Sequence, residues 1–101
     1  MQTLNLDASE WTDITVFYDA LLYALDAPFW HGRNINALID SMVWGDINGI
    51  EPPYKICISN FQKASAEVRE EIEALAKDIL SSKAEHYRMY GQEPEIFLEI
   101  Q

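Results

Sequence analysis

A small α/β fold, with a three-stranded parallel sheet covered by helices, is what this sequence predicts, and three observations predict it. Strand-like and helix-like segments alternate along the chain. Helical segments separate each strand from the next, which makes parallel pairing with helical crossovers the economical arrangement. A chain of 101 residues with 49% apolar content also has enough material for one core without disulfide or metal support. The whole span 1–101 reads as one domain, with no internal repeat, low-complexity tract or linker.

The elements follow in order. Thr3 to Leu6 is short and partly alternating, as an opening strand would be. Ile14, Phe17, Leu21 and Leu25 recur at spacings of three and four, so residues 14–26 read as an amphipathic helix, with Asp13 or Thr15 as its cap. Trp11, just ahead of that cap, suits core or staple packing. Ala27-Pro28 ends the helix, because a residue before proline is driven out of the helical region. Asn34 can cap a second helix that begins at Ile35, with Gly32 supplying freedom in the backbone before it. Trp44 to Pro53 is rich in turn residues, with Asn48-Gly49 and Pro52-Pro53 as punctuation. Tyr54 to Ser59 reads as a strand. A long helix starts near Ala66 behind a Ser65 cap, with Val68, Ile72, Leu75, Ala76, Ile79 and Leu80 on its apolar face and charged pairs such as Glu73 and Lys77 on the other. Gly91 to Pro94 turns the chain, and Ile96 to Ile100 is apolar enough to suggest a strand buried on both faces.

Charge narrows the function classes. Seventeen acidic residues against seven basic ones give a net charge of −10, which opposes binding to nucleic acid and to anionic membranes. The imbalance is uneven: residues 1–54 carry eight acids and one base, Arg33, whereas residues 55–101 carry nine acids and six bases. A basic partner is therefore drawn to the first half. The single Cys57 has no disulfide partner in the chain, and between Ile56 and Ile58 it reads as a small buried hydrophobe. The beginning of the sequence has no basic stretch followed by an apolar run, and the longest apolar run, Ala20 to Leu25, is too short to cross a bilayer, so the expectation is a cytoplasmic protein. No pattern of metal ligands or cofactor-binding glycines is present, and no metal or cofactor is expected.

The most informative stretch is Trp30-His31-Gly32-Arg33-Asn34-Ile35-Asn36-Ala37-Leu38-Ile39-Asp40. At helical spacing Ile35, Leu38 and Met42 form one stripe, and Asn36, Ile39, Asp40 and Val43 a second, rotated away from it. One stripe serves a core. The second has the character of a contact surface with one carboxylate at its centre. Taken alone, Asp40 can equally be a solvated helix residue, and Arg33 an ordinary surface arginine. His86, beside Glu85 on the long helix, reads as surface decoration.

This order of elements, together with Ala27-Pro28, Trp30-His31-Gly32, Asn34-Ile35-Asn36-Ala37-Leu38 and Asp40, resembles the barstar family of ribonuclease inhibitors. The pattern covers essentially the whole chain, and residues 27–42 in detail. The resemblance implies a barstar-like fold and an immunity protein that plugs the active site of a toxic ribonuclease, with an acidic side chain standing where an RNA phosphate would lie. Asp40 then matches the family's central acidic contact, Trp30 an aromatic loop contact, Gly32 and Asn34 the junction of loop and helix, and Asn36 and Ile39 the exposed helix face. Asn36 stands where the familiar inhibitor has a carboxylate, Ile39 where it has a tryptophan and Arg33 where it has an acid. Trp44 and Gly45 occur in exchanged order.

The expected contact surface thus comprises Trp30, His31, Gly32, Asn34, Ile35, Asn36, Ile39, Asp40, Val43 and Trp44, in a protein that is monomeric when free and binds a basic ribonuclease or toxin domain. Two other readings stand beside it. Asn36 and Ile39 leave room for a protein partner that is not a ribonuclease. His31 and Asp40 could in principle serve an acid–base hydrolase, although the sequence supplies no nucleophile elbow, phosphate loop or metal spacing for one.

Overall fold

The computed structural model describes all residues, 1–101. Its elements are β1 (Gln2–Asp7), α1 (Ile14–Ala24), α2 (Ile35–Ile39), a π-helical turn (Asp40–Trp44), β2 (Tyr54–Ser59), a 3₁₀ turn (Phe61–Lys63), α3 (Ala66–Tyr90) and β3 (Ile96–Ile100). The strands lie in the order β1-β2-β3, all parallel, so β2 is central and the other two are edges. Each expected cap is in place: Asp13, Asn34 and Ser65 accept from the backbone N–H of Val16, Ala37 and Val68. Each removes one of the orphan donors that a helix start leaves. Gly91, in the left-handed conformation with φ of 73°, closes α3.

Register fixes which side of the sheet is covered. Leu4, Ile56 and Leu98 stand in one row, and Thr3, Lys55 and Phe97 in the next. Side chains alternate across a strand, so the first set meets the helices and the second faces outward. Leu4, Ile56, Ile58 and Ile96 join Phe17, Leu21, Leu38, Met42, Val68, Ile72 and Leu75 in one buried cluster. None of the outward set belongs to it. The helices therefore lie on one face of the sheet only.

That arrangement corrects the reading of β3. Its run of apolar residues suggested burial on both faces, yet it is an edge strand with Phe97 and Ile100 exposed. Lys83 of α3 partly covers it, donating to the Ile96 carbonyl at 2.8 Å and lying 4.6 Å above the Phe97 ring. Cys57 is buried, but on the outward side of the sheet, outside the apolar cluster, with Sγ 3.7 Å from a Glu99 oxygen. Three ion pairs are present, Arg33–Asp19, Lys55–Glu99 and Lys83–Glu93, and the expected Glu73–Lys77 pair is not among them.

Two tyrosines are buried in the core, and one of them, Tyr18, links α1 to α3. Burial pushes the Tyr18 hydroxyl well above its ordinary range, reinforced by its hydrogen bond to Glu71 of α3. Burial does the same at Tyr54, with the Glu51 carboxylate adding to it. Between them, α1 and α3 hold the segment 28–44 at one end of the layer, where the chain leaves the core and returns.

Candidate functional site

The site is built from two short pieces. The loop after Pro28 carries Phe29 and Trp30 outward, with 97% and 64% of their surfaces exposed. The Asn34 cap then starts α2, whose Leu38 is fully buried and anchors the helix. After one turn the helix widens: the Gly45 N–H donates to the Asp40 carbonyl, five residues back. Such π turns are enriched at functional sites, because the extra residue re-aims the side chains around it. Asp40 opens this turn and is exposed, and its carboxylate has no hydrogen bond or ion pair within the chain.

Trp30, His31, Gly32, Ala37, Asp40 and Ile47 line a cavity of about 110 Å³. It joins the aromatic loop to the carboxylate. Arg33, the base nearest the site in sequence, is turned away: its Nη2 and Nε lie 2.7 and 2.8 Å from one oxygen of Asp19 on α1. The local cation is thus spent on a neighbouring helix, and Asp40 keeps its charge unopposed.

Of the ten residues expected at the contact surface, Trp30, Asn34, Asn36, Asp40 and Trp44 are exposed, and Gly32, Ile35 and Ile39 are half-buried. Ile35 and Ile39 pack in part against the core. His31 and Val43 correct the expectation, since both are turned inward with 4% exposure. Val43 is inward because the π turn breaks the helical spacing that put it in line with Asn36 and Ile39, so that Ser41, Met42 and Val43 are buried in succession. His31 is inward because the interior supplies partners for both ring nitrogens, Gly32 O and Ser41 Oγ, each at 2.7 Å.

Trp44 belongs to a different place. With Asp46, Glu51, Glu93 and Glu95 it borders an open groove of about 510 Å³ on the far side of the π turn. Its ring packs against His86, 5.2 Å away, and Tyr90, 6.5 Å away, so His86 is part of an aromatic cluster and not mere surface decoration. Sequence reasoning passed over Phe29 and Ile47 at the site, and Tyr23 as an exposed aromatic of α1. Tyr23, 89% exposed, could have been found, because it falls outside the Phe17-Leu21-Leu25 stripe. Phe29 could have been found too, as an aromatic just after a helix-ending proline. Ile47 sits in a turn, and nothing local marks it.

A family model described as barstar, the barnase inhibitor, matches residues 1–99. The chain belongs to the barstar family. No curated protein matches it closely enough to count as a relative. Family membership agrees with the three-stranded parallel sheet and its helices, and it gives the exposed loop and turn a chemical context, because barstars are inhibitors of barnase-type ribonucleases. No helix is long and apolar enough to cross a membrane.

Proposed function

We propose that this protein inhibits a basic ribonuclease toxin by seating the Trp30 loop and the Asp40 turn in the cleft where that enzyme binds RNA. The observation that carries the reading is the Asp40 carboxylate, exposed and free of partners in its own chain beside an exposed tryptophan. A ribonuclease cleft is cationic because its substrate is a polyanion. A carboxylate placed there accepts charge-assisted, often bidentate, hydrogen bonds from arginine, which are stronger than neutral ones. Desolvating Asp40 without such donors is costly, so the same residue rejects partners that lack them. Trp30, Phe29 and the exposed edge of Ile39 surround the ion pair with apolar area and keep water out. The excess of acid in residues 1–54 speeds encounter with a basic partner, an effect for which the barstar family's own complex is a standard example.

The hydrolase reading has little to rest on. His31 has both ring nitrogens engaged by Gly32 and Ser41, and neither meets Asp40. A protein partner other than a ribonuclease is favoured by no observation beyond the neutral Asn36 and the smaller Ile39.

The test is a titration of RNA cleavage by barnase and by other basic ribonucleases of the barnase type. Cleavage should fall linearly with added protein and stop at a 1:1 ratio for at least one of them. Asp40→Ala should shift the curve to much higher concentration. Undiminished cleavage at a large excess over every enzyme tried overturns the proposal.

A further inference from the structure

His31 has no role in the contacts just described, yet it sits between them. Its backbone N–H donates to the Pro28 carbonyl at 3.0 Å. Its Nδ1 is 2.7 Å from Gly32 O, its Nε2 is 2.7 Å from Ser41 Oγ, and Ser41 Oγ is in turn 3.2 Å from the Leu38 carbonyl. His31 directly follows Trp30 and Ser41 directly follows Asp40. The imidazole therefore spans from the aromatic loop to the acidic turn and fixes the distance between their two contact residues.

The hydrogen positions follow from the partners. A carbonyl oxygen only accepts, so Nδ1 carries a proton. With neutral imidazole, Nε2 is an acceptor and the Ser41 hydroxyl donates to it. With imidazolium, Nε2–H donates to Ser41 Oγ, and the hydroxyl turns its proton to the Leu38 carbonyl. One set of heavy-atom positions satisfies both charge states. The bridge holds in either, and the change of charge is felt without any repacking.

We propose that His31 is a positioning residue of the binding face: clamped between Gly32 and Ser41, it holds the Trp30 loop against the Asp40 turn and makes partner affinity depend on its own proton. This rests on the proposed binding of a cationic partner at Asp40. Asp40 is the charged side chain that lines the cavity shared with His31; the other lining residues are Trp30, Gly32, Ala37 and Ile47. Arg33 is held by Asp19. A proton on His31 places a positive charge in the wall beside the carboxylate, partly cancelling the field that attracts the partner's cation. Affinity is then lower with the imidazolium than with the neutral imidazole.

The first arm of the experiment uses the free protein. The Trp30 indole N–H and the Asp40 backbone N–H are followed by NMR from about pH 8 to about pH 5.5, a window chosen to span histidine titration. Both signals should move together in the wild type and in His86→Ala, which removes the chain's other histidine, and should lose that movement in His31→Gln. The second arm measures affinity for barnase as the probe. Acidification over the same window should weaken the wild type about threefold or more beyond any weakening of His31→Gln. Ser41→Ala, which keeps the imidazole but removes its anchor, should weaken binding, and combining it with His31→Gln should add little further loss. Identical pH responses of wild type and His31→Gln in the first arm overturn the proposal. So does additivity of the two substitutions in the second. If barnase is not bound while the free protein responds as described, the positioning role stands and the choice of partner is what fails.

Discussion

Two faces of this molecule are left uncovered by its own chain, and they differ in what they do with their charges and rings. The outward side of the sheet pairs its charged side chains Lys55 and Glu99, 3.3 Å apart, and its exposed ring, Phe97, is covered by Lys83. The loop and turn at the other end leave Phe29, Trp30 and Asp40 without partners. Exposure is common to both faces, so exposure alone does not mark a docking surface. The mark is unspent interaction: a carboxylate with no cation and aromatic rings with nothing packed on them. The nearest available base, Arg33, is bound elsewhere by Asp19, which keeps the second face from closing on itself as the first has done.

If that contrast is correct, the largest loss comes from Asp40→Ala. Truncating one partner of a desolvated charge pair leaves the other charge buried and unpaired, a loss of about 3–5 kcal/mol. Calorimetry against an inhibited ribonuclease measures it, and a loss below about 1 kcal/mol, the scale of an exposed ion pair, would remove Asp40 from the centre of the face. The melting temperature should not fall, because the carboxylate makes no contact inside the free protein. Trp30→Ala comes next. An exposed tryptophan that becomes buried at an interface is commonly worth about 2 kcal/mol or more, and the same calorimetry separates this from a peripheral contact of a few tenths.

The parts of this architecture that were legible in the sequence are those that local chemistry decides. Asp13, Asn34 and Ser65 are cap residues at the start of apolar periodicity, and each caps the helix it announced. Asp40 was legible as a surface residue because it falls outside the Leu38-Met42 stripe that the core takes, whereas Trp30, in the loop ahead of that helix, was legible only through the family resemblance. What was not legible depends on contacts distant in sequence or on a change in helical winding. The burial of His31 requires Ser41, ten residues on. Val43 is buried because the helix becomes a π turn at Asp40, and no residue in Asp40-Ser41-Met42-Val43-Trp44 announces that change. β3 misled because a continuous apolar run fits a two-sided strand as well as an edge strand, and only the order of the sheet separates the two.

Arg33→Ala sharpens the contrast through kinetics. Removing the guanidinium frees the Asp19 carboxylate and makes the acidic half more negative, at the rim and not at the centre of the face. A rim charge acts mainly on the association rate and its salt dependence. Stopped-flow association with a basic ribonuclease should therefore quicken by about twofold at low salt, and the gain should vanish as ionic strength approaches about 0.15 M, where the Debye length shrinks to about 8 Å. A slower association would mean that Arg33 itself contacts the partner.

The smallest effect belongs to the sheet face. The Glu99 carboxyl is held below its ordinary range, first by a hydrogen bond from Gln101 and then by Lys55. A carboxylate lowered in the folded state stabilises the fold above the unfolded carboxylate range, and that contribution is lost as pH falls through the folded value. Lys55→Ala should therefore leave inhibition unchanged, within about twofold, as expected for one exposed ion pair remote from the contact. Its effect should lie in the acid-unfolding profile followed by circular dichroism. The contribution that Lys55 makes to holding Glu99 ionised is absent in the variant, so the two profiles should differ near neutral pH and converge as Glu99 is protonated in both proteins. Weakened inhibition by Lys55→Ala would show that the paired face also takes part in binding, and the distinction between spent and unspent charges would lose its force.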